Sequence, residues 1–287
     1  MNPVILGIDL DEWYHARWAS GSKKARWENK AALFKDYYHA DRPGGEIVRP
    51  TRLILRQLRE FKVKATFFIL GEIAEWYPHL VREIAAEGHE IACHGMHHED
   101  LALSDRKTFE KELAQSRKIL EKLANQKVIG FRAPNLVVTD WLFEVLIDQG
   151  FQYDSSICPG RSIQGKYQGQ AGLPSNPYRI GKLIEIPIPT FPVLKLPGAV
   201  SIASRIFGLW WTEITLEAAL KTGAASFYAH PYEFNRAPKL AHLKLKERIF
   251  LRRMGKPMEE IFRKFLVRYH KRIMTAKGYL AERTIKN

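Results

Sequence analysis

Short apolar runs alternate along this chain with amphipathic stretches of helical length, and no other feature limits the fold as strongly. Apolar runs of strand length occur at 4–8, 65–70, 90–93, 128–131, 151–153, 183–186 and 225–229. Helical patterns lie between them, among them 73–87, which ends before Gly88, and 139–149, which ends before Gly150. Strands and helices that alternate in this way form parallel β/α units. The pattern therefore predicts an α/β protein.

Three further segments carry helix or loop signals. Residues 14–47 are mostly polar and are predicted to form a long loop with one helical turn at most. One helix is expected to begin at Pro50, and Ser104 is expected to cap a second, longer helix. A third helix is predicted at 214–222, before the last strand.

Composition indicates one domain with a basic end. No Ser/Gly-rich or Pro-rich linker divides the 287 residues, and 46% hydrophobic residues are enough for one large core. The formal charge of +14 is concentrated at 239–287, which hold fifteen Lys/Arg and four Asp/Glu and so carry +11. We predict a single domain over 1–287, with a catalytic barrel at about 1–238 and a basic helical extension at about 239–287.

The extension has the pattern of an amphipathic helix over 257–273. Its apolar side is formed by Ile261, Phe262, Phe265, Leu266, Tyr269 and Ile273, and its basic side by Arg263, Lys264, Arg268 and Lys271. The simpler interpretation is a helix that closes the barrel and solvates its basic face. The alternative is a docking surface for anionic lipid or a phosphate-bearing glycan carrier. No nucleic-acid partner is expected, since no recognition motif accompanies the charge.

The start of the chain and its cysteines bear on the compartment. The first residues, MNPVILGIDLDEW, lack a basic region, and Asp9 and Asp11 interrupt the apolar run that a signal peptide would need. No apolar stretch approaches the roughly 18 residues of a membrane-spanning helix. Cys93 and Cys158 do not indicate a framework of disulfides. We expect a cytoplasmic protein, at the inner face of the membrane if the extension docks there.

Polar residues follow several of the predicted strands. They are Asp9, Asp11, His94, Arg132, Asp154 and His230. Active sites of β/α barrels are built at the carboxyl ends of the strands. The positions of these residues therefore indicate an active site at that edge.

Two histidines in the segment His94-Gly-Met-His97-His98 have a spacing suited to one metal ion. The four-residue separation of His94 and His98 would place both rings on one side of a helical turn. Taken alone, the spacing also fits solvated or core histidines. His97, between them, is interpreted as a polar turn residue.

Two carboxylates occupy alternate positions in Asp9-Leu10-Asp11. In an extended segment they point to the same side. Like charges this close are unfavourable unless they are compensated. A divalent metal at one carboxylate and Arg132 at the other would compensate both, whereas a capping turn would explain either carboxylate alone.

These segments resemble, in content and order, the NodB-homology polysaccharide deacetylases, the fourth carbohydrate esterase family. The resemblance is to the branch with an Asp-x-Asp/Glu opening and a His-Pro-Trp/Tyr-Glu ending. It rests on Asp9-Leu-Asp11-Glu12-Trp13, Thr66-Phe67-Phe68, Gly88-His89-Glu90-Ile91, the His94–His98 segment, Phe131-Arg132-Ala133-Pro134, Tyr153-Asp154-Ser155-Ser156, Glu185-Ile-Pro187 and His230-Pro231-Tyr232-Glu233. It spans roughly residues 4 to 235 and implies a distorted (β/α) barrel of about seven parallel strands.

The resemblance also implies a ligand set and a reaction. Asp11, His94 and His98 would hold one divalent metal ion, usually zinc. Water activated by that metal would attack an acetamide carbonyl, and acetate and a free amino sugar would be released. The substrate class implied is the N-acetylated amino sugar of a polysaccharide or of a lipid- or carrier-linked glycan precursor.

Proton transfer in the same reaction is implied for other residues. Asp9 would be the catalytic base with Arg132 as its ionic partner, and His230 would be the general acid. Asp154 is our first choice for the carboxylate that tunes His230, with Glu185 and Glu233 as alternatives.

Aromatic and proline residues of the same motifs are candidate substrate contacts. They are Trp13, Pro134 and Tyr232. Trp13-Tyr14 and Trp210-Trp211 could stack on sugar rings, although burial in the barrel is the commoner role of such aromatics.

Two other functions compete with a deacetylase. One is a related amide hydrolase for a small non-sugar substrate, since a fold can change substrate through its loops. The other is a non-catalytic barrel that binds carbohydrate. The intact set Asp9, Asp11, His94, His98 and His230 argues against this last function.

Overall fold

The computed structural model describes residues 1–20, 25–161, 167 and 169–286, with side chains up to Arg283. Its centre is a curled, mostly parallel sheet with the strand order β6-β7-β5-β4-β3-β2-β1-β8. The strands are β1 (Val4–Leu10), β2 (Thr66–Ile69), β3 (Glu90–Cys93), β4 (Gly130–Phe131), β5 (Tyr153–Asp154), β6 (Tyr178–Ile180), β7 (Leu183–Glu185), β8 (Ala225–Ala229) and β9 (Ile273–Met274).

Parallel pairing joins seven strands of this path. They are β1, β2, β3, β4, β5, β7 and β8, and β6 adds an antiparallel edge beside β7. The predicted α/β barrel of about seven parallel strands is therefore confirmed. All seven residues of β1 are buried, as expected of a central strand covered on both faces.

The helices cover this sheet. They are α1 (Lys30–Leu33), α2 (Val48–Glu60), α3 (Gly71–Trp76), α4 (Pro78–Ala86), α5 (Arg106–Ala124), α6 (Leu142–Asp148), α7 (Ser201–Phe207), α8 (Leu209–Leu220), α9 (Leu245–Phe250), α10 (Lys256–Tyr269) and α11 (Ala276–Lys286). The 14–47 segment predicted as a loop contains α1 and a π-helical turn, Phe34–Tyr38. The helix predicted at 214–222 begins earlier, at Leu209, after Gly208 with φ 105° separates it from α7.

Two helix predictions were wrong in detail. The helix expected over 73–87 is broken at Tyr77 (φ −129°, ψ 56°), because a following proline, Pro78, disfavours helical backbone in the residue before it. The cap of α5 is Asp105 rather than Ser104, since the Asp105 side chain accepts the Thr108 amide at 3.0 Å.

Strand β4 is shorter than the apolar run that predicted it, and side chains bind the amides of two flanking residues. The Val128 amide donates to Glu121 Oε1 (3.0 Å), and the Ala133 amide donates to Ser156 Oγ (2.8 Å). Only Gly130–Phe131 pairs as a strand.

The C-terminal extension is built into the same sheet and core. β9 pairs with the first residues of β1, in the register Val4↔Ile273 and Ile5↔Met274, and the Ala276 amide donates to Thr66 Oγ1 at 2.9 Å. β9 thus continues the line of β2, which reaches β1 only from Gly7 onward. Among the described residues, no helix has both the length and the apolar character needed to cross a bilayer.

Helix α10 packs by its apolar side and forms ion pairs from its basic side. Phe262 and Phe265 are fully buried in the main core. Arg263 lies 2.5 Å from Glu60 of α2, and Arg268 lies 3.6 Å from Glu213 of α8. This packing is what the interpretation as a closing helix requires.

We predict that Phe265→Ala destabilises the protein by about 3–5 kcal/mol, the usual cost of an emptied aromatic site in a core. Phe265 has no exposed surface, and its ring stacks on Phe227 of β8 with centroids 4.2 Å apart. The measurement is the free energy of unfolding in urea. The matched control, Val267→Ala, changes a residue of the same helix that is 58% exposed and should cost less than about 0.5 kcal/mol. Equal effects of the two substitutions would show that α10 is not part of the core.

Candidate metal centre and active site

The carboxyl ends of the parallel strands bring together the side chains that the sequence singled out. Asp9 and Asp11 lie at the end of β1, His94 follows β3, Arg132 follows β4 and His230 follows β8. These strands lie side by side in the path β4-β3-β2-β1-β8. Parallel pairing puts all their carboxyl ends on one edge, where β/α barrels build active sites.

Three of these side chains form a cluster that could hold a cation. One ligand atom from each of Asp11, His94 and His98 lies within 4.8 Å of the others, and His98 Nε2 is 3.3 Å from Asp11 Oδ2. Among the described residues, Asp11 Oδ1 is buried without a hydrogen-bond partner. A buried carboxylate oxygen of this kind needs a compensating charge. The two imidazoles and one carboxylate are a donor set that suits a divalent metal ion.

The tautomer of His94 is set by its neighbour. His94 Nδ1 lies 2.8 Å from the Arg132 carbonyl oxygen, which can only accept, so Nδ1 carries the proton and Nε2 keeps its lone pair. Burial lowers the pKa of His94 to about 4, so the ring is neutral near pH 7. Burial also raises the pKa of Asp11, since it disfavours the charged carboxylate. A bound cation would remove this cost.

The loop that carries the histidines is not the helical turn that was predicted. Residues 94–98 form a bend, in which Gly95 has φ 89° and His98 has φ 60°. The His97 ring turns away from the cluster, and its Nδ1 lies 3.1 Å from Glu72 Oε2. His97 is therefore a polar residue of the turn, and His94 and His98 meet through loop geometry rather than helical periodicity.

An ion pair holds the first carboxylate of β1. Arg132 Nη1 donates to Asp9 Oδ1 at 2.5 Å, while its Nε and Nη2 donate to the carbonyl and hydroxyl oxygens of Ser155 at 2.9 and 2.8 Å. The guanidinium lies 4.0 Å from the ring centre of Phe68. Gly7 makes room for it, since a Cβ there would stand 2.8 Å from Arg132 Nη1. The structure thus pairs Asp9 with Arg132, as the compensation argument required.

Glu233 is the carboxylate that contacts His230. His230 Nδ1 lies 3.2 Å from Glu233 Oε2, and the Tyr232 ring stacks beside the imidazole with centroids 5.0 Å apart. Burial disfavours the imidazolium, but the carboxylates of Asp11, Glu233 and Asp9 outweigh it and raise the pKa of His230 to about 9. His230 is therefore charged near neutral pH and can donate a proton.

Asp154, our first choice as the partner of His230, binds elsewhere. Its carboxylate accepts from the Ser156 hydroxyl (2.6 Å) and amide (3.0 Å) and lies beside Glu185, its register partner on β7. Glu185 itself accepts the Ile157 amide at 3.0 Å. Burial raises the pKa of both carboxyls. The prediction was wrong because hydrogen bonds from Ser156, two positions along the chain, orient Asp154 within its own strand end.

The three predicted substrate contacts are buried. Trp13 is 5% exposed and stacks on Trp18 with centroids 6.0 Å apart, and Pro134 and Tyr232 are also buried. Trp13 and Tyr14 therefore have the structural role. Trp211 has it too, since it is buried and stacks on Phe191, whereas Trp210 is 52% exposed.

A polar cleft of about 180 Å³ opens beside His98 instead. Its lining includes Arg17, Asn29, Lys30, Asp100 and Asn135. None of these residues was predicted to belong to the site. The only signal for Arg17, Asn29 and Lys30 was the unusual length and polarity of the 14–47 segment, and Asp100 and Asn135 had none.

Two family models match the chain in succession. Residues 40–153 match the model described as polysaccharide deacetylase, and residues 155–276 match a domain of unknown function, DUF3473. The boundary falls at β5, so Arg132, His94 and His98 lie in the first matched region, and His230 and Glu233 lie in the second.

Curated relatives match shorter stretches. A peptidoglycan-N-acetylglucosamine deacetylase of Bacillus cereus is 32% identical over 102 residues, which is 36% of this chain and 47% of the relative. A chitooligosaccharide deacetylase of Rhizobium leguminosarum bv. trifolii is 39% identical over 79 residues, 28% of this chain and 37% of the relative. The matched stretches thus span less than half the length of either relative.

A solved structure matches nearly the whole chain. It is a Mycobacterium smegmatis protein described as a proposed polysaccharide deacetylase, with a TM-score of 0.62 and 21% identity over 99% of this chain and 93% of that one. At this identity the likeness shows the fold alone.

We predict that Asp11→Asn abolishes binding of a divalent metal, whereas Asp9→Asn leaves metal content almost unchanged. Asp11 belongs to the three-residue cluster, and Asp9 is held by Arg132. The measurement is metal content after dialysis against zinc, together with a zinc titration by calorimetry. Equal metal loss in both variants would show that Asp9 is a ligand as well.

Proposed function

This chain belongs to the polysaccharide deacetylase family, and from that membership we propose that it hydrolyses the N-acetyl group of an amino sugar with one divalent metal ion. The proposed substrate is a polysaccharide or a carrier-linked glycan precursor, and the products are acetate and a free amine. One observation carries the proposal: the Asp11, His94 and His98 cluster lies at the same sheet edge as the Asp9–Arg132 pair and the charged His230. The relatives that act on peptidoglycan and chitooligosaccharides support this substrate class.

The metal would be held by the three-residue cluster. Two imidazole nitrogens and one carboxylate oxygen favour zinc and leave coordination positions open. When bound, such an ion activates water and polarises the carbonyl of the amide. The neutral His94 and the buried Asp11 oxygen without a hydrogen-bond partner support this assignment.

Asp9 is proposed as the base. Arg132 donates to Asp9 Oδ1, so the carboxylate is fixed in place and Oδ2 remains to accept a proton from the attacking water. The opposite charge of Arg132 also lets two carboxylates, Asp9 and Asp11, lie two positions apart on one strand end.

His230 is proposed as the acid. Its Nδ1 faces Glu233, which can only accept, so Nδ1 donates to that carboxylate and Nε2 is free to protonate the leaving nitrogen. An amine leaves an acetamide poorly unless it is protonated, so this transfer is needed when the C–N bond breaks. The polar cleft beside His98 is the proposed place for a neighbouring sugar.

We predict that the protein releases acetate from N-acetylglucosamine oligomers in the presence of zinc, and that Asp9→Asn lowers kcat at least roughly 100-fold. The loss should occur with metal still bound, since the base does not coordinate the ion. The measurement is acetate release from chitooligosaccharides, peptidoglycan fragments and carrier-linked N-acetyl sugars. Asp140→Asn, at an exposed carboxylate, is the control and should keep full activity. Turnover of small acetamides but of no sugar would favour the alternative amide hydrolase.

We also propose that the basic end of the chain docks on an anionic membrane, at the cytoplasmic face. The ion pairs of Arg263 and Arg268 occupy part of the basic face of α10, while Lys264 and Lys271 are exposed. Exposed apolar side chains in the second half of the chain support the idea. They include Val193 (77%), Trp210 (52%) and Val267 (58%).

We predict that Lys264→Gln with Lys271→Gln weakens binding to anionic vesicles about 30-fold at low salt, because each lysine near such a surface contributes on the order of 1 kcal/mol. Hydrolysis of a soluble oligomer should be unchanged. Arginines are spared, since reversing Arg263 would place like charges beside Glu60. The control pair is Lys111→Gln with Lys118→Gln, two exposed positions on α5. A wild-type protein that ignores anionic vesicles in a sedimentation assay would end the docking proposal.

A further inference from the structure

The carboxylate behind the acid histidine is held by an arginine that lies far from it in sequence. Arg205 of α7 donates from Nε to Glu233 Oε1 at 2.7 Å, and the hydroxyl of Ser201 donates to Glu233 Oε2. His230 binds the same carboxylate, since its backbone amide also donates to Glu233 Oε2, at 3.1 Å. The Arg205 and Glu233 side chains are both fully buried.

The arginine is itself fixed by the C-terminal part of the chain. Its Nη1 donates to the carbonyl oxygens of Phe250 (2.8 Å), the last residue of α9, and Arg252 (2.5 Å), just after that helix. The Gly255 amide in turn donates to the Glu233 carbonyl at 2.8 Å. Residues 201–205 therefore bind the Glu233 side chain, and residues 250–255 bind Arg205 and the Glu233 backbone.

Burying an ion pair seldom stabilises a protein more than apolar residues of the same volume would. A fully buried arginine and glutamate therefore need another explanation than stability. A carboxylate that binds an arginine through one oxygen and a histidine through the other can hold the imidazole in one orientation. The planar guanidinium of arginine suits this carboxylate better than the ammonium of lysine would. Burial favours the neutral carboxyl, but Arg205 and His230 outweigh it and lower the pKa of Glu233 to about 2.

We infer that Arg205 is a positioning residue for the general acid, acting through Glu233. Arg205 keeps the carboxylate ionised and aligned with His230 Nδ1, so that Nε2 points at the nitrogen that leaves. This inference rests on the proposed deacetylase function. It assigns the 155–276 region a part in positioning the general acid.

The leaving group separates this role from a purely structural one. When an acetamide is cleaved, the C–N bond breaks and the nitrogen takes the proton of His230 Nε2. When an aryl acetate is cleaved, the C–O bond breaks and the phenolate leaves without a proton. A badly placed acid therefore slows amide cleavage much more than aryl ester cleavage, whereas a damaged fold or lost metal slows both.

The experiment compares Arg205→Gln, Glu233→Gln and the double variant on an N-acetylglucosamine oligomer and on 4-nitrophenyl acetate. We expect each single substitution to lower kcat on the oligomer at least roughly 100-fold and on the ester less than roughly tenfold. The double variant should lose no more than either single one, since both act on one proton transfer. Arg205→Lys should recover part of the oligomer activity. Arg268→Gln, which removes an arginine paired with Glu213 outside this network, is the control.

Ser201→Ala is a second probe, for use if Arg205→Gln fails to fold, because it removes one donor to Glu233 and leaves the buried charges paired. It should show the same selective loss on the oligomer, at smaller size. Equal losses on both substrates, or additive losses in the double variant, would overturn the role of Arg205 alone. A wild-type protein with no amide hydrolysis would overturn the proposed function and this inference with it.

Discussion

Arg132 and Asp9 form an ion pair almost excluded from water, and the site depends on it. β1 carries two carboxylates at alternate positions, and both point toward one edge of the sheet. Without a cation at each of them their repulsion would work against folding. Arg132 compensates the charge of Asp9. Gly7 leaves the space that its guanidinium requires, and Ser155 provides the acceptors. The second carboxylate, Asp11, is then the one that remains for a metal ion.

Most of the architecture could be predicted from the sequence, because the carboxyl ends of parallel strands lie at one edge of their sheet. Once the apolar runs were recognised as strands, the residues after them had to share one edge, so Asp11, His94 and His230 could be expected to meet. The points at which helices begin and break were harder to predict from the sequence. Tyr77 and Asp105 depend on a neighbouring proline and on a capping choice between adjacent residues, which periodicity does not resolve.

The partner of His230 could not be chosen from sequence. Three carboxylates followed strands or adjoined the histidine, and only packing separates them: Asp154 is held by Ser156, and Glu185 by the Ile157 amide. Arg205 gave no signal at all, since it lies in a helix 28 positions before the carboxylate that it binds. Contacts of this kind join elements whose spacing follows no repeat. The acid side of the site therefore emerges only from the three-dimensional arrangement.

The strand pairing of β1 also has a consequence for the order in which the protein is made. Its partners lie at 66–69, 225–229 and 273–274, so β1 leaves the ribosome long before β9, and its pairing is complete only after β9 has followed. Contacts so distant along the chain slow folding, since a large loop must close before they form. During synthesis the apolar β1 stays without its full set of neighbours. A nascent chain arrested before β9 should therefore depend on chaperones to avoid aggregation.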